Sequence, residues 1–244
     1  MTRIYEAHNH ILIQSGYADP QKHRHMAAHI IISIGGNLIA KTDGSEYNCK
    51  GIMIPSGVSH AVHTQEASAL VFLYDCTTDI ARQITSIQCI PEAVCNIITS
   101  LYCDFLQNDI SECYHKFEAA SLSQLGIKNT PPSKMDERII SAMKYIRSNL
   151  SESITCRDAA RSAALSQGRF SHLFRQQVGM TFSSYLIYQR ILHVYSEIFH
   201  GKSITEAALE AGFSSSSHFA DVNRRIFGIS ASRITSNMIF TKIQ

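Results

Sequence analysis

His23, His25 and His29 fall within seven residues, in the stretch QKHRHMAAHIIISIGG, and His60 closes a later stretch, GIMIPSGVSH. Imidazole nitrogens suit Zn, Cu, Ni and Fe(II). Residues two apart on a strand share a face, so His23 and His25 point the same way, and His29 stays in phase if the strand is regular. His60 follows a Pro-Ser-Gly turn and would reach across from a neighbouring strand. His63 is out of phase with His60. Four imidazoles with no carboxylate or thiolate make a ligand set of zero charge, able to hold one divalent transition metal such as Zn, Ni or Fe. The same side chains suit a second chemistry, as polar walls of a metal-free pocket for a small organic effector. A third reading is incidental loop histidines that bind nothing. The seven cysteines carry less: their number is odd and no CxxC pair occurs. That argues against a disulfide framework and a zinc ribbon and for reduced, buried thiols.

The elements that must position these histidines read as strands. HNHILIQSGY, AHIIISIGG, NLIAKTDG, SEYNCKGIMIP and ALVFLYD are short, rich in Ile, Val, Leu and Tyr, and punctuated by Gly, Asp and Pro. Turn signals about every ten residues predict a small antiparallel sandwich or barrel. After Asp75 the pattern changes. Val94, Ile97, Ile98, Leu101 and Phe105 recur at helical spacing, which predicts one helix to about residue 108 and a second from about Ser111. GIKNTPPSK, residues 126–134, is a linker by composition. Beyond it Ile139, Ile140, Met143, Ile146 and Leu150 predict the inner face of a helix, and Thr155 with Asp158 predicts the N-terminal cap of the next.

The two halves differ in charge. Residues 1–135 carry 9 Lys and Arg against 12 Asp and Glu, residues 136–244 carry 13 against 8, and seven of the twelve histidines lie in the first 63 residues. A His-rich front and a basic back suggest different tasks. Hydrophobic residues make up 45% and charged residues 17%, a globular composition. No apolar run is long enough for a membrane helix and the N-terminal stretch has no signal-peptide core, so a cytoplasmic chain with no membrane partner is expected.

The basic half repeats itself. LSQGRFSHLFRQQVGMTF and FSSSSHFADVNRRIFGISAS each open on a serine-bearing turn. Each continues with an aromatic (Phe170, Phe219), a basic residue five on (Arg175, Arg224) and a glycine nine on (Gly179, Gly228). A short alanine-rich helix precedes each turn, and the period is about 49 residues. This is the pattern of two helix-turn-helix units, in which the second helix is apolar toward the core and polar toward a DNA major groove. Phe170, Leu173, Phe174 and Val178 face inward in the first unit, and Phe219, Val222, Ile226 and Phe227 in the second. Gln167, Arg169, Ser171, His172 and Arg175 are left for solvent or DNA in the first, and Ser216, Ser217, Ala220, Asp221 and Arg224, with Arg225, in the second. Gln167, Arg169 and His172 are the base-reading candidates; Arg175, Arg224 and Arg225 suit phosphates.

Residues 136–235 resemble the DNA-binding domain of the AraC family of bacterial transcription regulators. The pattern on Ala208, Gly212, Phe213, Ser215, Ser217 and Phe219, followed by Phe227–Gly228, carries the resemblance, and TFSSYLIYQRILHVYSEIFHG resembles the long helix joining the two motifs. Departures are Asn223 where an aromatic core residue is usual, Asp221 where Arg is frequent, and Ala231 in place of a proline. An acid facing phosphate repels it, so the second motif is expected to bind less strongly. The front half resembles a cupin: Gly16, His23-x-His25, His29 and Gly35 resemble its first motif, and Gly51, Pro55, Gly57 and His60 its second.

The resemblances imply an α+β multidomain chain. A cupin-like β-barrel sensor would occupy residues 1–80, a helical linker or dimerisation segment 81–125, and an all-α domain with two helix-turn-helix motifs 136–235. They imply promoter DNA, a metal or small effector, a second copy of the chain and RNA polymerase as partners. They imply a regulator rather than an enzyme; a metal-dependent cupin oxygenase is the remote alternative.

Overall fold

The computed structural model describes residues 2–7, 10–16, 22–24, 27–64, 67–76, 78–108, 110–128, 135–151, 153–227 and 238–243. They form two compact units, residues 1–131 with 225–244, and residues 132–224.

The first unit contains the strands β1 (Thr2–Glu6), β2 (His10–Gly16), β3 (Ala28–Ser33), β4 (Leu38–Thr42), β5 (Glu46–Cys49), β6 (Gly51–Ile54), β7 (His60–His63), β8 (Ser68–Tyr74), β9 (Gln88–Ile90) and β10 (Met238–Lys242). Its helices are α1 (Asp79–Gln83), α2 (Glu92–Leu106) and α3 (Ile110–Gln124). A seven-stranded sheet runs β10-β1-β2-β8-β3-β6-β9 and a three-stranded sheet runs β5-β4-β7. Neighbours are antiparallel except β1 and β10, which are parallel.

Two expectations are corrected. SEYNCKGIMIP is not one strand: the chain breaks at Lys50, sending β5 into the small sheet and β6 into the large one. Gly51 enters the large sheet beneath α2, where a Cβ would lie 2.6 Å from Cys95 Sγ. The strands also do not close into a barrel among the described residues, because β9, β10, β5 and β7 end their sheets as edges. Helices α2 and α3 pack on the same sheet. Leu12, Ile30, Ile32, Leu70, Phe72 and Tyr74 meet Cys95, Ile98, Tyr102, Phe105, Tyr114 and Phe117 in one core. β3 is buried on both faces, which explains its unbroken apolar run. Ile97, read as part of the helical stripe, is 44% exposed.

A polar group is locked into that core. His10 Nε2 lies 2.7 Å from the Tyr114 hydroxyl and His10 Nδ1 3.5 Å from Glu118 Oε1, while Tyr74 donates to Glu118 Oε1 at 3.2 Å. It ties β2 and β8 to α3. Burial, helped by the charge of nearby His115, pushes the His10 pKa down to about 3, so the ring is neutral. Burial raises that of Glu118.

The second unit is helical: α4 (Glu137–Ser148), α5 (Cys156–Ser162), α6 (Gln167–Val178), α7 (Phe182–Phe199), α8 (Ile204–Glu210) and most of α9 (Ser216–Phe227). Each start is chemically marked. The side chains of Asp136, Ser166 and Thr181 cap α4, α6 and α7, and Thr155 with Asp158 and Ser203 with Glu206 form capping boxes on α5 and α8. Each such cap is worth about 1 kcal/mol. On α4 the buried row is Ile139, Ala142 and Ile146. Ile140, expected to face inward, is 37% exposed because that row follows helical spacing from Ile139.

Candidate DNA interface and histidine cluster

The two helix-turn-helix units are built alike at the turn. Leu165 N donates to Ala160 O and Phe213 N to Ala208 O, each at 2.9 Å, closing the first helix in the same six-residue loop. The residue before each donor is left-handed: Ala164 at φ 51° and Gly212 at φ 81°. At Gly212 the glycine is obligatory, since a Cβ would lie 2.7 Å from Leu150 O and 2.8 Å from Arg190 Nη2. Arg190 in turn donates from Nε to Leu150 O at 3.0 Å, joining α7 to the end of α4.

The buried face of α6 is Phe170, Leu173, Phe174 and Val178, as its periodicity predicts. Gln167, Arg169, Ser171, His172 and Arg175 are all exposed on the opposite side, with Ser171 Oγ 3.3 Å from Cys156 Sγ. On α9 Phe219 and Val222 are buried, and Ile226, expected inside, is only half-buried. Ser217, Asp221, Arg224 and Arg225 are exposed, while Ser216 and Ala220 are half-buried. The side chain of Phe227, and Gly228 and Ala231, lie outside what is described. Asn223 has a structural explanation: it is fully buried and accepts from the Tyr195 hydroxyl at 2.7 Å, so a polar pair fills a place open to an aromatic.

Two residues that the sequence reading passed over join this face. Arg157 and Arg161 of α5, four apart and thus on one side of the helix, line a groove of about 470 Å³ with Ser166 and Gln167 at the start of α6. Their spacing in RDAAR was the available signal. The groove combines two cations with the N-terminal end of a helix, an arrangement suited to a phosphate.

The histidines sit in the first unit. His23 and His60 exchange backbone hydrogen bonds of 2.9 Å each way, and their rings are 4.5 Å apart between centroids. His29 projects from β3 in the large sheet and its ring lies 4.6 Å from that of His60, which comes from β7 in the small sheet. Three of the four expected ligands are thus brought together, all buried; His25 lies outside the described residues. His60 donates from Nδ1 to Val58 O at 2.8 Å, which fixes the orientation of its ring. Burial, and then the charge of His23, lower its pKa to about 4, so it is neutral near pH 7. The donor chemistry fits a transition metal. The rings pack against one another, and among the described residues, which exclude His25, no group of three His, Cys, Asp or Glu side chains could hold an ion.

Comparison with known proteins agrees with the geometry of the helical unit. A family model described as a helix-turn-helix domain matches residues 159–237. This part of the chain is a helix-turn-helix domain. The regulatory protein PocR of Salmonella typhimurium is 30% identical over 99 residues, 40% of this chain and 33% of its own. The virulence regulon transcriptional activator VirF of Yersinia enterocolitica is 30% identical over 110 residues, 45% of this chain and 40% of its own. The chain thus matches only a third to two fifths of the length of these relatives. The crystal structure of ToxT from Vibrio cholerae shares the fold across both units, with a TM-score of 0.61 at 12% identity over 93% of this chain and 96% of that one. Another structure of ToxT, bound to an unsaturated fatty acid, superposes with a TM-score of 0.55, again at 12% identity, over 93% of this chain and 95% of that one. No helix among the described residues is long and apolar enough to cross a membrane.

Proposed function

We propose that this chain is a DNA-binding transcription regulator, with the helical unit on promoter DNA and the strand-rich unit sensing a small organic effector. The observation that carries the DNA half is the pair of second helices, α6 and α9, each buried on an apolar face and exposed on a polar, arginine-bearing one. Arg169, Gln167 and His172 read bases; Arg175, Arg224 and Arg225, joined by Arg157 and Arg161, meet phosphates. Affinity for DNA should then fall steeply with salt, since each neutralised phosphate releases counterions. A flat response across a salt titration sinks the reading.

For the sensing half, the ring packing of His23, His29 and His60 favours polar walls over a coordination sphere. Fatty-acid occupancy of ToxT makes an apolar carboxylate the first ligand class to try. The effector must favour one DNA-binding arrangement over the other, or it switches nothing. Titrating DNA binding with medium- and long-chain fatty acids tests this; no change with any of them removes that ligand class. The second reading, a metal sensor using Zn, Ni or Fe, is supported by the convergence of the three imidazoles of His23, His29 and His60. Pairing of two copies through α2 and α3, and contact with RNA polymerase, belong to the same proposal.

A further inference from the structure

The register that brings the histidines together also places two cysteines at the far end of the same pair of sheets. Partners in an antiparallel ladder share a face, as do residues two apart on a strand. In the large sheet His29 and Ile31 share a face, Ile31 pairs with Ile52, and Ile52 pairs with Cys89. In the small sheet His60 pairs with Thr42, Thr42 shares a face with Ala40 and Leu38, and Leu38 pairs with Cys49. The His29 and His60 rings, 4.6 Å apart, mark these two faces as looking at one another. Ile31, Ile52, Leu38 and Ala40 are buried between them. Cys49 and Cys89 therefore stand on facing sheets, at the β5 and β9 edges. Their thiols are hydrogen-bonded. Cys95 is not part of the pair: it lies beneath Gly51, on the other face of the large sheet from Ile52, with its Sγ 3.8 Å from Ile90 O.

We propose that Cys49 and Cys89 are a peroxide-oxidisable dithiol whose disulfide ties the small sheet to the large one. Cys89 is exposed and Cys49 half-buried, so an oxidant reaches Cys89 first. Burial, and then the hydrogen bond to Cys89, push the Cys49 thiol up to about 12, so Cys49 keeps its proton near pH 7 and does not start the reaction. The Cys89 sulfur attacks one oxygen of a hydroperoxide. The O–O bond breaks, Cys89 becomes a sulfenic acid, and the second oxygen leaves, protonated, as water or alcohol. The Cys49 sulfur then attacks the Cys89 sulfur. The S–O bond breaks, the S–S bond forms, and the hydroxyl leaves as water with the Cys49 proton. The two thiols give up one electron pair in all, and the peroxide takes it. The sulfurs must close to roughly 2.05 Å, and β9, a three-residue strand at the edge of its sheet, is the element free to shift. The site uses neither the helical unit nor the histidines, so it stands whether or not the proposed function does.

The full chain is treated with hydrogen peroxide, its remaining thiols are alkylated, and it is digested without reductant for mass spectrometry. About two thiols per chain should be lost, as one Cys49–Cys89 cross-link that dithiothreitol reverses. In Cys49→Ser the reaction should stop at a Cys89 sulfenic acid that dimedone traps, and in Cys89→Ser the Cys49 thiol should stay reduced. In the oxidised chain β5 and β9 amides should exchange about tenfold more slowly, with β1 and β2 unchanged. Exposed Cys103 is the internal control. Oxidation of Cys103 while Cys49 and Cys89 stay reduced overturns the dithiol. A Cys89 linked to another thiol, or trapped by dimedone as fully in the unaltered chain as in Cys49→Ser, overturns it too. A Cys49–Cys89 cross-link that leaves β5 and β9 exchange unchanged overturns the tie between the sheets. The cross-link map of the unaltered chain decides the pairing by itself if either variant fails to fold.

Discussion

Ala164 and Gly212 occupy the same left-handed position in the two turns, and exchanging their chemistry should move stability in opposite directions. Gly212→Ala forces an L side chain to φ 81°, at a cost of about 1 kcal/mol. The new Cβ would lie 2.7 Å from Leu150 O and 2.8 Å from Arg190 Nη2, so the guanidinium must move. Moving it breaks the 3.0 Å bond from Arg190 Nε to Leu150 O. A hydrogen bond from a charged donor contributes about 1.5–3 kcal/mol. The total is about 3–4 kcal/mol, with the steric overlap and the lost bond as its larger part. Ala164→Gly instead relieves φ 51°. The relief is partly offset by the greater freedom of glycine in the unfolded chain, leaving a gain of about 0.5–1 kcal/mol. At about 4–8 °C per kcal/mol for a domain of this size, the helical signal should melt more than about 10 °C lower in Gly212→Ala and about 2–8 °C higher in Ala164→Gly. Far-UV circular dichroism on heating, with urea titrations beside it, reads both. A loss below about 1 kcal/mol in Gly212→Ala would refute the packing argument at Arg190. Destabilisation by Ala164→Gly would refute the equivalence of the two turns.

Tyr195→Phe removes the 2.7 Å donor to buried Asn223 and should cost about 1–3 kcal/mol in urea unfolding, an effect that shrinks in an Asn223→Leu background. His60 and His10 have folded pKa values near 4 and 3, below the ordinary histidine value of 6.5, so the unfolded state binds more protons on acidification. Their stabilisation is complete above about pH 6.5 and is lost as pH falls toward those values, by about 1.4 kcal/mol for each pH unit crossed below 6.5 by a single ring. Glu118, raised above 4.5, acts in the opposite sense, its contribution fading as pH rises through its elevated value. Unfolding midpoints between pH 7 and 4.5 should therefore fall less steeply in His60→Gln; an unchanged slope contradicts the buried, neutral ring. Arg169→Ala should weaken specific DNA binding more than nonspecific binding, by about 1–3 kcal/mol on the specific site, and equal losses on both remove its base-reading role. Elemental analysis of protein purified without chelators, beside the His23→Ala, His60→Ala variant, decides the metal reading: about one metal per chain, lost in the variant, restores it, and no metal in either leaves the organic effector.

Periodicity made the helical unit legible. The buried faces of α6 and α4 are rows spaced by three and four, the caps are Thr, Ser and Asp where chain direction requires them, and the repeat marks both turns in the sequence alone. Legibility failed where a property depended on another segment. Ile226 matches the helical period of α9, yet it is only half-buried, because its exposure is set by what lies opposite. Asn223 looked like a defect until Tyr195, 28 residues away, supplied its partner. In the strand-rich unit β1, β7, β9 and β10 are three to five residues long, too short for alternation to register. The parallel pairing of β10 with a strand more than two hundred residues earlier leaves no local trace. The histidines show both cases. Their types predicted chemistry and three of them do converge, but ring orientation, which separates a ligand set from a packed wall, is a property of the two sheets and not of the spacing.

The two motifs are equal in architecture and unequal in charge. α5 and α6 carry four arginines against one acid, and that acid, Asp158, serves the capping box and faces Arg161. α8 and α9 carry two arginines against three acids. Glu206 caps α8 and Glu210 pairs with Lys202, so both are occupied, but Asp221 stands exposed on the face of α9 that points away from its core. Under the proposed function phosphate neutralisation sets affinity, so the first motif would supply most of it. An acid on a recognition face repels backbone phosphates but can accept from a cytosine amino group, so under the proposed function the second motif would contribute by rejecting sites more than by holding them.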